Sequence, residues 1–319
     1  MPDAITLRSA IAAARDRLRA AGIDDAALEA EVLLRHALGL SRSQLFMRLE
    51  GPIDPVAAAR YEAVLARRLA HEPTAYITGH REFYGLDFAV TTDTLIPRPE
   101  TETLVDAALD IIRRRPPHAR YRLDHWPEPS YEETFATPQR PIPEQPALPG
   151  AGVTIADIGT GSGAIAVSLA RALPGVRLIA IDLSAAALEV ASANARRHGV
   201  DSRIDFRQGD LLSPLDTRVD VIIANLPYVN TPDYLTLDPE VRDQEPQSAL
   251  DGGPDGLDLI RRLIAAAPSR LNPQSSLLLE FGASQSEALT ALAHAVFPNS
   301  AITIRPDLAG HPRVLIVSL

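Results

Sequence analysis

The 319-residue chain has no cysteine, which excludes disulfides, zinc–thiolate sites and cysteine nucleophiles. It has no lysine either, because all 31 basic residues are arginine. A Walker A loop, Schiff-base chemistry and a Ser-x-x-Lys nucleophile all require that missing side chain. Positive charge is outweighed overall. A net charge of −10 and a pI near 5.3 argue against binding nucleic acid mainly through its phosphates, and they are compatible with a protein or small-molecule partner. No segment approaches the ~18 apolar residues of a membrane span, and the N-terminus, with Asp3 and Arg8, has no long apolar run. A soluble cytoplasmic protein without membrane contact or a metal site is expected.

The length suits two domains and a large buried core. Residues 6–70 carry apolar residues at helical spacing: Ile11, Ala14, Leu18 and Ala21, then Leu28, Val32 with Leu33, and Leu38, then Tyr61, Leu65 and Leu69. Gly22 and Gly39 stand where helix C-caps belong, and Asp24 or Asp25 can cap the second helix. Residues 1–72 are therefore expected to form a helical domain, of the kind that selects a partner. Residues 73–112 should hold a β-hairpin, from the aromatic and β-branched run between Thr74 and Val90 with Gly79 and Gly85, and then a connecting helix. Pro99 suits that helix's first turn, Glu100 and Glu102 favour its positive end, and Leu104, Val105, Ala108, Leu109 and Ile112 form its buried face. Arg98, between two prolines, is a candidate substrate contact, although a solvated arginine in a stiff turn has the same sequence. Residues 113–150 hold nine prolines and the only tryptophan, Trp126, and read as a linker or insert. Trp126 with Tyr121, Tyr131 and Phe135 can pack onto a neighbour.

From 151 to 319 strands alternate with helices, the pattern of an α/β doubly wound, mostly parallel Rossmann-like sheet with its last strand antiparallel. The stretch Asp157-Ile-Gly159-Thr-Gly161-Ser-Gly163 turns a strand into a helix. Its glycines admit close approach of backbone to a ligand, and Thr160 and Ser162 lie among them. Gly159-x-Gly161-x-x-Ala164 also satisfies the dinucleotide fingerprint. Asp182 ends the second strand, where a carboxylate accepts hydrogen bonds from ribose hydroxyls, as suits NAD and S-adenosyl-L-methionine alike. Asp210 ends the third strand and offers a contact to an adenine amino group, with Leu211 against the ring. Each acid alone is equally a strand-end or surface residue. The fourth strand runs into Asn225-Leu226-Pro227-Tyr228, which separates the classes. The Asn225 oxygen and the next backbone carbonyl can accept both N–H bonds of an amide or exocyclic amine, and Tyr228 can stack on the planar group beyond a rigid Pro227 turn. A methyltransferase acting on planar nitrogen uses such a group, whereas a dehydrogenase has no need of it.

These segments resemble the release factor glutamine N5-methyltransferases, within the S-adenosylmethionine-dependent class I superfamily. The resemblance covers nearly the whole chain. Its more specific parts are Leu95-Ile-Pro-Arg-Pro-Glu-Thr-Glu102 and the run of Glu245-Pro246, Gly252-Gly253 and Asp255-Gly-Leu257; the glycine loop is shared more widely. It implies methyl transfer from S-adenosylmethionine to the glutamine side-chain amide in the Gly-Gly-Gln loop of a class I peptide chain release factor. Residues 159–163, Asp182, Leu211 and Asn225 would contact cofactor, and residues 225–228 would hold the glutamine. Leu226 departs from the Asn-Pro-Pro-Tyr the family usually has, and Leu211 stands where an aromatic is usual. A ribosomal-protein glutamine or a nucleic-acid amine stays open as the acceptor, with an NAD-dependent oxidoreductase as a different class. No direct nucleic-acid partner is expected, since the chain is acidic and no basic target-recognition segment is present.

Overall fold

The computed structural model describes residues 5–114 and 148–319. The packing expected of Tyr121, Trp126, Tyr131 and Phe135 lies outside the described residues. In chain order the elements are α1 (Leu7–Ala20), α2 (Ala26–Leu38), α3 (Arg42–Met47), α4 (Pro55–Leu69), α5 (Thr74–Thr78), β1 (His80–Phe83), β2 (Leu86–Ala89), α6 (Glu102–Arg114), β3 (Thr154–Ile158), α7 (Ala164–Ala172), β4 (Arg177–Asp182) and α8 (Ala185–Arg197). They continue with β5 (Ile204–Gln208), β6 (Val219–Ala224), α9 (Thr231–Tyr234), α10 (Pro239–Arg242), α11 (Asp258–Ala266), β7 (Leu271–Glu280), α12 (Ser286–Val296), β8 (Ala301–Pro306) and β9 (Pro312–Ser318). The described chain divides into two compact units, Met1–Pro97 with Val229–Gly256, and Arg98–Tyr228 with Leu257–Leu319.

The first unit is helical. Leu18, Leu33, Leu34, Leu45 and Leu65 are fully buried in it, and the buried Tyr61 hydroxyl donates to the Ala30 carbonyl at 2.9 Å. Three expectations are corrected here. The inward face of α2 is Ala26, Ala30, Leu33 and Leu34, while Leu28 is exposed; small alanines let the helix pack closely, so its phase follows them. Asp25 holds the N-cap position in a left-handed conformation but makes no capping bond with its side chain. Residues 74–78 form the helical turn α5, closed by Gly79 at φ 80°, and the hairpin is confined to β1 and β2. The second segment of this unit is anchored by charge. Arg68, 5% exposed, pairs with Glu29 at 3.2 Å and with Glu240 of α10 at 2.6 Å, and the Ile96 N–H donates to Glu245 at 3.1 Å. A buried guanidinium stripped of both carboxylates would be left without an ionic partner, which is costly, so these pairs tie the segment to the helices.

The second unit is a seven-stranded sheet in the order β5-β4-β3-β6-β7-β9-β8. Only β9 runs antiparallel to its neighbours, as expected for this fold class. β6 is buried along its whole length, and β3 at all but its first residue, so each reads as an apolar run interrupted by one acid, Asp220 and Asp157, rather than as an alternation. α6 lays Leu104, Val105, Ala108, Leu109 and Ile112 inward, as its spacing predicts. The register pairs Ile158 with Ile181 and with Ala224, and Ala224 with Leu279. The carboxyl ends of β4, β3, β6 and β7 therefore form one edge, which carries Asp182, Gly159, Asn225 and Glu280.

Candidate active site

The glycine turn is fastened from both sides. The Gly159 and Thr160 N–H groups donate to the Ile181 carbonyl of β4 at 2.8 and 3.0 Å. Asp157, fully buried, accepts the Thr160 hydroxyl at 2.7 Å. Burial pushes the Asp157 carboxyl up to about 7, and the Thr160 hydrogen bond works against that rise. Buried Ser162 presents its carbonyl to Asn194 Nδ2 at 2.8 Å, and Gly163 leads into α7. Gly161 lies at φ +55°, and a Cβ added there would meet nothing within 4 Å, so this turn has an open face.

Asp182 closes that turn onto β4. Its two oxygens accept the Gly161 and Ser184 N–H groups, each at 2.9 Å. A carboxylate oxygen carries two lone pairs, so each retains one for a ligand donor. Asp210, just beyond β5, is paired with Arg262 of α11, a partner no local pattern foretells. Leu211, at φ 47°, packs half-buried against the sheet's core.

Residues 225–228 follow β6 directly. Asn225 is half-buried, and its Nδ2 donates to the Thr101 hydroxyl at 3.0 Å. Leu226, 4% exposed, packs into the main core, and Pro227 beside it is buried. The Tyr228 hydroxyl donates to Glu280 Oε1 at 3.3 Å, and its carbonyl accepts Gln285 Nε2 at 2.8 Å. Glu280 is 1% exposed. Burial pushes its carboxyl up to about 7, while the Thr101 hydroxyl, Arg313 and Tyr228 pull it down. Burial and the Glu280 charge hold the Tyr228 phenol well above its ordinary value, with Arg313 and Arg98 acting the other way. Arg98 thus exerts its charge on the same cluster, from the start of the turn Pro99–Thr101. Thr101, Glu280, Gln285 and Arg313 were not singled out as site residues. Thr101 carried a signal, being part of the Ile-Pro-Arg-Pro-Glu-Thr-Glu stretch.

Comparison with known proteins bears on this arrangement. A PrmC N-terminal domain matches residues 9–79 and a methyltransferase domain matches residues 149–265. A release factor glutamine methyltransferase of Moorella thermoacetica is 43% identical over 313 residues, 98% of either chain. Its counterpart from Cereibacter sphaeroides is 41% identical over 310 residues, 97% of either chain. The chain belongs to the release factor glutamine methyltransferase family. The hMettl16 catalytic domain, solved in complex with the MAT2A 3'UTR hairpin 6, superposes with a TM-score of 0.51 at 16% identity, covering 82% of this chain and 81% of that one. At that identity the likeness concerns the fold alone. Among the described residues of this methyltransferase, no helix is long and apolar enough to cross a membrane.

Proposed function

We propose that this methyltransferase transfers a methyl group from S-adenosyl-L-methionine to the side-chain amide nitrogen of the glutamine in the Gly-Gly-Gln loop of a class I peptide chain release factor, in the cytoplasm. The observation that carries the reading is the Asn225 amide at the end of β6, its Nδ2 bound to Thr101 and its oxygen left to accept an N–H donor. The relatives' shared name supports the acceptor class.

The residues present fit the cofactor. The glycine turn has an open face at Gly161, and Asp182 keeps a lone pair on each oxygen for ribose hydroxyls. Residues 157 and 159–163 would line the cofactor, with Asp210 and Leu211 on the adenine side. Asp210 would have to share its charge with Arg262. When bound, S-adenosylmethionine supplies an electrophilic methyl on a sulfonium. An amide nitrogen is a poor nucleophile, so its orientation matters most. Asn225 Oδ1 and the Leu226 carbonyl accept its two N–H bonds, Pro227 fixes the turn between them, and the Tyr228 ring stacks on the amide plane. Arg98 contributes charge beside Tyr228 and a substrate contact. The helical unit, with residues 1–72 as its main body, selects the partner.

Single-turnover methyl transfer tests this reading, with a release factor carrying the Gly-Gly-Gln loop beside the same factor with that Gln changed to Ala. Methylation of the first and not the second is expected. Equal methylation of both overturns the glutamine assignment, and calorimetric titration with NAD in parallel should give no binding. Asn225→Ala should cut turnover by roughly two to three orders of magnitude, as for loss of a positioned polar group at a reacting centre.

A further inference from the structure

Tyr228 ends the run of residues 225–228, and the chain just past β7 is fastened to it. There the turn Ala283–Gln285 closes on itself, the Gln285 N–H donating to the Gly282 carbonyl at 2.8 Å. The Gln285 side chain, 9% exposed, then joins two stretches of backbone. Its Oε1 accepts the Gly282 N–H at 2.9 Å, and its Nε2 donates to the Tyr228 carbonyl at 2.8 Å. A backbone N–H can only donate and a carbonyl can only accept, so these two contacts hold the amide in one orientation. The far end of Tyr228 is held too, because its hydroxyl donates to the buried Glu280 Oε1 at 3.3 Å. A ring fixed at its backbone and at its hydroxyl keeps only rotation about its long axis. Gly282 bounds that rotation: a Cβ added there would lie 3.6 Å from Tyr228 Cδ2 and 3.2 Å from Gln285 Oε1. The turn that carries the amide clamp thus also flanks the edge of the ring.

We propose that Gln285 is a positioning residue for methyl transfer: its side-chain amide ties the Tyr228 carbonyl to the turn after β7 and, with Glu280 at the phenol, holds the ring in the plane from which it stacks on the acceptor amide. The proposal deepens the functional reading above and rests on it. Tyr228 touches the acceptor; Gln285 acts through Tyr228.

A double-mutant cycle tests the clamp on the full chain, with single-turnover methylation at saturating release factor as the readout and S-adenosylmethionine affinity measured beside it. Gln285→Met keeps the length of the side chain and removes both hydrogen bonds. It should lower the rate about fivefold to fiftyfold, as a misplaced group does, while cofactor affinity stays within about threefold. In the Tyr228→Ala background the same exchange should change the rate by less than about twofold, because the ring it orients is gone. A merely structural glutamine would give its full loss again in that background, and such additivity overturns the proposal. An unchanged rate in Gln285→Met alone also overturns it. Should Gln285→Met not fold, Gln285→Glu carries the same cycle. It keeps the shape but sets a carboxylate oxygen against the Tyr228 carbonyl, and its loss must show the same dependence on Tyr228. A Tyr228→Ala enzyme with full turnover would instead overturn the stacking role in the functional reading, whatever the Gln285 variants do.

Discussion

The Leu226 Cδ2 atom lies 3.1 Å from the point that a Cβ on Gly159 would occupy. The residue that departs from the family's usual proline thus packs over the first glycine of the glycine turn. Gly159 is also at φ +72°, in the left-handed region that L side chains enter at a cost of roughly 1–2 kcal/mol. Gly159→Ala should therefore destabilise the protein by about that much and weaken S-adenosylmethionine binding. Adding Leu226→Ala should recover part of the contact loss but none of the backbone strain. Chemical denaturation of the single and double variants checks this, and an alanine at 159 that leaves stability unchanged rules it out.

Leu226→Pro separates two roles of one residue. If its carbonyl serves the acceptor, proline keeps that group and turnover should stay within severalfold. The leucine side chain, 4% exposed in the main core, is lost in the exchange, so stability should fall by about 1–3 kcal/mol. Rate and unfolding free energy are measured on the same preparation. A folded but inactive proline variant would mean that the leucine side chain shapes the acceptor site.

Asp182→Ala should weaken S-adenosylmethionine binding by about 1.5–3 kcal/mol, through loss of charge-assisted bonds. Its oxygens also hold the Gly161 and Ser184 N–H groups, so the cofactor turn should loosen as well. Calorimetry gives the affinity, and amide exchange at Gly161 gives the loosening. Undiminished affinity would remove Asp182 from the cofactor site.

Stability should carry a mark of the two buried carboxyls. Asp157 rises from 3.8 to about 7 on folding, and Glu280 from 4.5 to about 7. Between those limits the folded protein holds protons that the unfolded chain has already released. The contribution of both groups is thus fully present below about pH 4, falls as pH rises toward 7, and is level above it. Asp157→Asn and Glu280→Gln cannot ionise, so each variant should gain on the parent across that window. Urea unfolding at several pH values checks this, and a stability difference constant from about pH 4.5 to 8 would contradict it.

Much of the glycine turn and the strand edge it belongs to was legible because each part of it is local. A strand ending in an acid, glycines at alternate positions and a helix start can all be read within a dozen residues, as at Asp157 and Gly163. The mostly parallel sheet with an antiparallel last strand followed from the same alternation. Thr101 was not legible as the partner of Asn225, nor Glu280 as that of Tyr228. Each lies far from its partner in sequence, and only the turn before α6 and the register of β6 on β7 bring them together. The error at Tyr76 and Ile77 has a different cause. Their β-propensity is real, but both side chains are buried in a single helical turn, and packing outweighs so weak a preference.

The chain enters the sheet unit at Arg98, leaves it after Tyr228, and re-enters at Leu257. Residues 225–228 therefore end where the chain passes out of the sheet unit. A truncation that begins at Arg98 would not yield a clean catalytic fragment, because residues 229–256 would lose Arg68, the partner of Glu240. Exchange of the helical unit between relatives would for the same reason need three breakpoints rather than one.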